Sequence, residues 1–163
     1  MSDGPSRMKR ELLRHTLATL AYRGGKALRD APPEFTSFRA AGSSRSAGEI
    51  LAHIGDLLDW AIALADGAHT WQPAEPALWD RGVQRFFDGI ARLDARLADA
   101  TPLGFPEEKL FQGPIADALT HIGQIALLRR LAGALVRGEN YFKADIVIGR
   151  VGPEQSAPRR EFE

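Results

Sequence analysis

His53, Asp117 and His121 are the residues of this 163-residue chain whose types and spacing could do chemistry together. Asp117 and His121 are four apart, so on a helix they rise roughly 6 Å and fall about 40° past a full turn, on one face. His53 keeps step with Ile50, Leu57, Trp60 and Leu64 at alternating spacings of three and four, which puts it on the apolar seam of a different helix. Brought to one point, the three form a two-histidine, one-carboxylate set. It closes three coordination positions of a divalent ion and leaves others for water or substrate. The chain has no cysteine, so thiolate nucleophiles, disulfides and sulfur-ligated metals are excluded, and any metal must use nitrogen and oxygen donors.

Each residue has a plainer explanation when taken alone. A lone histidine on an apolar face is commonly a satisfied core residue, and an aspartate near a helix start is favoured by the helix dipole. An inward Asp117 beside His121, however, needs a partner, because an unpaired buried charge costs on the order of several kcal/mol. His15 is off its helix seam and His69 falls in a loop, so both are expected to face solvent. Arg129, Arg130 and Arg137 sit toward a helix carboxyl end and suit its dipole better than an anion site. Trp79, Phe86 and Phe87 are expected in the core or at a subunit interface. Arg23-Gly24-Gly25-Lys26 lacks the preceding strand that a phosphate loop requires.

The elements that must position the three residues are four amphipathic helices, expected at about 7–28, 46–65, 76–99 and 114–137, in one all-α four-helix bundle domain spanning 1–163. Leu13, Leu17 and Leu20 mark the first seam. Ser46-Ala47-Gly48-Glu49 is a capping box that opens the second helix. Trp79, Val83, Phe86, Ile90, Leu93 and Leu97 carry the third seam. Pro114 suits a first helical position, and Asp117, His121, Gln124, Leu128, Leu131 and Leu135 carry the fourth seam, with Gly138 as its stop. Residues 30–46 are long enough to cross one end of the bundle. The remainder, 138–163, reads as an irregular tail frayed at its end.

Lys and Arg number 21 and Asp and Glu number 21, for a net charge of +0, so no global field favours nucleic acid. No apolar run approaches the roughly 20 residues that span a bilayer. The amino terminus carries charges where a signal peptide would be apolar. A cytoplasmic protein is expected, with neither nucleic acid nor membrane as partner.

The residues around the candidate set resemble those of the DinB/YfiT-like metalloenzymes, a family of four-helix bundles, and the resemblance covers nearly the whole chain. That family carries a histidine on its second helix and a later His-x-x-x-His-Arg-Gly-Gln. The matching residues here are His53 and Asp117-Ala-Leu-Thr-His121-Ile122-Gly123-Gln124, with Asp117 in place of the first histidine of the later motif and Ile122 in place of arginine. The resemblance implies a divalent metal, zinc or nickel, held by His53, Asp117 and His121. It also implies a low-molecular-weight thiol, activity as a thiol-dependent S-transferase or isomerase on a small-molecule substrate, and a homodimer, for which Trp71 and Phe87 are candidate exposed aromatics. Gln124, one turn beyond His121, is expected to orient a ligand or to pack as a buried polar residue. The segment 138–145 is expected to cap the bundle end or to fold over the site and offer Asn140 or Tyr141 to substrate. Two other readings stay open: a non-catalytic dimeric helical protein that keeps Asp117 and His121 as a structural pair, and an iron enzyme using oxygen.

Overall fold

The structure, a computed structural model, describes residues 3–162, so the outermost residues of the expected 1–163 domain lie outside it. Among the described residues there are helices and no strand. Four long helices, α1 (Asp3–Leu28), α2 (Ala47–Ala65), α3 (Trp79–Ala98) and α5 (Ala116–Leu131), form the bundle, with the short α4 (Glu107–Leu110) leading into α5. α1 packs against α3 and α5, and α2 packs against the same two. α1 and α2 therefore occupy one diagonal, and the long connection 29–46 crosses the bundle end between them.

The core comprises the seam residues of all four helices, including Leu17, Leu20, Ile54, Leu57, Phe86, Ile90, Leu93 and Ile125, each almost fully buried. Gly24 sets the distance between α1 and α3. A Cβ there would lie 2.3 Å from Cζ of Phe86, so the ring packs directly on helix backbone. Phe87 is buried beside Phe86, with ring centroids 5.0 Å apart, and is a core residue instead of an exposed dimerisation aromatic.

The fourth long helix departs from its expected bounds at both ends. Pro114 is not a first helical residue: helix begins at Glu107, and Phe111–Ile115 form a π turn in which Ala116 N–H reaches back five residues to the carbonyl of Phe111. Proline has no N–H to give an α-type bond, and the wider turn accommodates it without ending the helix. The other end comes at Leu131, not Arg137. Gly133 takes φ +76°, its N–H donates to the Arg130 carbonyl, and Ala134 N–H donates to the Arg129 carbonyl. These are the paired bonds of a Schellman stop, five residues before Gly138. Leu131 and Leu135 are consequently exposed. Buried Arg129 fixes the stop from within, donating from Nε to the Ala134 carbonyl and from Nη1 to the carbonyls of Ala27 and Arg29 at the end of α1. It complements a helix carboxyl end, as expected.

The tail end does not fray through residue 162. Phe162 N–H donates to the Gly138 carbonyl and Asn140 N–H to the Arg160 carbonyl, tying the two ends of the tail together. Lys26 on α1 then holds both Glu139 and Glu161.

Candidate metal centre

The side chains of interest lie along the groove where α2 meets α5. α2 begins at Ser46, whose hydroxyl accepts from Glu49 N–H while the Glu49 carboxylate accepts from Ser46 N–H. Arg39 grips the same carboxylate through both Nη atoms. One turn inside this fixed start is His53, and one turn further is Asp56. Asp56 is buried, receives Nη2 of Arg85 from α3 at 2.8 Å, and accepts the N–H of Ala74 at 3.0 Å. That last bond ties the α2–α3 loop down beside His53, where the Trp71 ring meets the imidazole edge-on at 5.6 Å. From the other side, the π turn ahead of α5 leads straight into Asp117 and, a turn later, His121.

His53 Nε2 lies 3.6 Å from Asp117 Oδ2, and His121 Nε2 lies 3.4 Å from Asp117 Oδ1. One donor atom from each of the three residues falls within 4.8 Å of the others. A charge-assisted hydrogen bond would bring nitrogen and oxygen to about 2.7–2.9 Å. Donors sharing a cation at about 2.0–2.1 Å sit roughly 3.0–3.4 Å from one another in tetrahedral or octahedral arrangement. The two imidazole–carboxylate distances are longer than the first condition and near the second, and the 4.8 Å bound on the whole set means that the side chains would draw together around an ion. The imidazoles are perpendicular, with centroids 4.8 Å apart, so they approach Asp117 from different directions.

The protonation chemistry also suits a metal. His121 Nδ1 is 2.9 Å from Oε1 of Gln124. A carbonyl oxygen only accepts, so Nδ1 donates in this bond, and in the neutral ring the Nε2 lone pair is then left facing Asp117. Burial, with the neighbouring charge of Arg45 and the approach of His121, pushes the His53 pKa below its ordinary value despite the opposing pull of Asp117, which favours the neutral form that binds metals. The residues present fit a divalent ion. They do not fit a buried cage: the Asp117 side chain is 47% exposed, against the interior position that its seam implied, and the group opens to solvent on one side.

The sequence-expected residues divide by location. His53, Asp117, His121 and Gln124 come together. Asn140 and Tyr141 do not join them: Tyr141 packs edge-on against Tyr22 of α1 and lies under the guanidinium of Arg23, while Asn140 caps the turn Tyr141–Lys143. The segment beside the site is the α2–α3 loop instead. His15 is exposed, as expected, and His69, though exposed, stacks on Trp60 at 5.6 Å. Trp60 in turn meets Trp71 edge-on at 5.9 Å, so an aromatic row leads from His53 along the loop. Sequence reasoning missed Trp71, Asp56 and Arg85 as parts of the site. The only signal available was Asp56 one turn after His53 on a helix otherwise oily on that side.

Comparison with family models, with curated proteins and with solved structures gives no match. The site is thus defined by its own geometry: a helical bundle with an open His-Asp-His group that could hold a metal.

Proposed function

We propose that this chain is a divalent-metal-dependent enzyme of the DinB-like kind, acting on a small molecule as a thiol-dependent S-transferase or isomerase. The observation that carries the reading is the convergence, from two facing helices, of one donor atom from each of the three residues within 4.8 Å of the others. His53 from α2 and Asp117 and His121 from α5 would hold it, with Gln124 fixing the His121 tautomer. Such an ion supplies Lewis acidity, lowering the pKa of a thiol or water at its open side and so providing a nucleophile near neutral pH. The chain itself contributes position: Asp56 and Arg85 hold the loop that carries Trp71, and Trp71 shields one flank of His53. With no cysteine, the chain has no thiol of its own to offer.

A homodimer in a cytoplasmic setting belongs to the same proposal. Exposed Leu127 and Leu131, one turn apart on α5, support an interface there. Among the described residues, no helix is long and apolar enough to cross a membrane.

Elemental analysis of protein purified without a metal-affinity tag tests the reading. Near-stoichiometric zinc, nickel or iron that disappears in His53→Ala and in His121→Ala is the expected result. Protein that is metal-free, cannot be reloaded, and loses stability when Asp117 is replaced would instead describe a non-catalytic bundle in which Asp117 and His121 form a structural pair.

A further inference from the structure

Beside the His-Asp-His group lies an open cavity of about 270 Å³, with Arg45, His53, Trp71, Pro73 and Pro76 in its lining. It also touches Glu49 and Asp56, and both of those carboxylates are already engaged. Glu49 is held by Arg39 and by the backbone of Ser46, and Asp56 by Arg85 and by the backbone of Ala74. Arg45 differs. It is exposed, has no carboxylate partner and no side-chain hydrogen bond among the described residues, and lies near enough for its charge to act on His53. The cavity thus has one unspent charge, and that charge is positive.

Part of the lining is flat and apolar, made by Trp71, Pro73 and Pro76. Trp71 keeps 43% of its surface exposed, and its ring is buttressed edge-on by His53 and by Trp60. Pro73 and Pro76 stiffen the loop around it, and the Ala74 bond to Asp56 anchors the loop to α2. A preset indole face stacks on planar rings at little entropic cost. A guanidinium takes a carboxylate through two parallel hydrogen bonds. The volume falls just below the usual range of ligand pockets, roughly 300–1,000 Å³, and suits a single ring.

We infer that this cavity binds a small aryl carboxylate, its acid group on Arg45 and its ring against Trp71, placing the ring's substituents beside His53. The inference deepens the functional reading above, because it gives the reacting side of that site a substrate class. The two can nevertheless fail separately, since neither Arg45 nor Trp71 is a metal ligand.

Isothermal titration of the full chain with benzoate, with benzamide and with cyclohexanecarboxylate decides it. Each titration is run on protein loaded with zinc and again on protein treated with chelator. Benzoate is expected to bind in both, at least tenfold more tightly than benzamide and severalfold more tightly than the non-planar acid. Arg45→Gln should weaken benzoate tenfold or more, with Arg45→Lys recovering part of the loss, and Trp71→Leu should abolish the preference for the flat ring. Both side chains are exposed, and an unchanged circular dichroism spectrum verifies that the variants fold. Equal binding of benzoate and benzamide, unaltered benzoate affinity in Arg45→Gln, or no heat at millimolar benzoate overturns the inference, whatever the metal content. A chain that binds benzoate through Arg45 but never takes up metal would overturn the metal reading and leave this one standing.

Discussion

Two clusters of ionisable groups flank α5, one on its α1 side and one on its α2 side, and are built in opposite ways. On α1, Tyr22 Oη donates to Glu139 at 2.5 Å, and Lys26 Nζ donates to Glu139 at 2.9 Å and to Glu161 at 2.7 Å. The Glu139 side chain is wholly buried there, and every strong group has found a protein partner. On α2 and α5, His53 and His121 each stand 3.4–3.6 Å from Asp117, beyond the length of a strong ion-pair bond, and Asp117 is left half in solvent. Satisfied charge at short range binds a tail to a helix and leaves nothing for a ligand. Convergent charge held just out of bonding range leaves room for one more atom, and this contrast marks the second cluster as the candidate functional one.

The strongest way to break the comparison is to remove one imidazole. His121→Ala should reduce metal content from near one ion per chain to a background level, measured by elemental analysis, with little change in the unfolding midpoint of the metal-free form. In the native chain, zinc at a hundredfold excess over its dissociation constant should add about 2.7 kcal/mol to the unfolding free energy, and this increment should vanish in the variant. The other cluster should behave in reverse. Glu139→Ala strands the Tyr22 hydroxyl and takes one of its two carboxylates from the largely buried Lys26 ammonium, which keeps Glu161, and should cost about 2 kcal/mol in urea unfolding while leaving metal content untouched. Its pH dependence has a defined sign. Burial and the Glu139 bond push the Tyr22 pKa up, and for Lys26 the carboxylate bonds outweigh a desolvation that acts the other way, so that its pKa is raised too. Groups raised on folding stabilise fully below their unfolded pKa values, near 10, and lose that contribution as pH climbs through the folded ones. The gap between native and Glu139→Ala stability should therefore hold from pH 7 to about 10 and narrow above it.

The contrast was only half legible in the sequence. The i, i+4 pair Asp117 and His121 and the seam position of His53 are local regularities, and helical spacing alone displays them. That α2 lies beside α5 and not across the diagonal depends on the long 29–46 crossing, which carries no periodic signal. Gly133 and Gly138 are equally good stops by residue type. Only the reach of Arg129 to the carbonyls closing α1, contacts 100 and 102 residues distant in sequence, goes with the earlier one. Pro114 reads as a helix start because a π turn has no composition of its own. Trp71 stands in a loop without period, and its position beside His53 follows from a single backbone bond to Asp56.

Gln124 sharpens the comparison at the next level down. Gln124→Leu keeps the three donors but frees His121 to adopt the other tautomer or to rotate. Groups in this orienting role are typically worth about 10–100-fold in metal affinity. Competition with a fluorescent zinc chelator should show a loss within that range, with stoichiometry still near one at saturating metal. A loss no larger than that of Thr120→Ala, an exposed neighbour on α5 whose hydroxyl bonds only its own helix, would reduce Gln124 to surface packing.

The smallest effect should come from the α2 cap, which sits beside the functional cluster yet is built like the structural one. The two Arg39 bonds, then the Ser46 backbone, hold the half-exposed Glu49 carboxyl down to about 2. A carboxyl depressed on folding stabilises above its unfolded pKa of 4.5 and loses that contribution as pH falls toward 2. Native protein should therefore exceed Glu49→Gln in urea stability by a constant small margin from pH 7 down to about 5. The margin should then narrow steadily toward pH 2, where half of the native carboxyl is protonated and resembles the amide. Because the cap orders the first turn of α2 while His53 lies in the second, zinc affinity at pH 7 should change less than for Gln124→Leu. If the cap variant instead weakened zinc as much as Gln124→Leu does, the first turn of α2 would have to be counted as part of the functional cluster, and the boundary between the two kinds of region would move to include it.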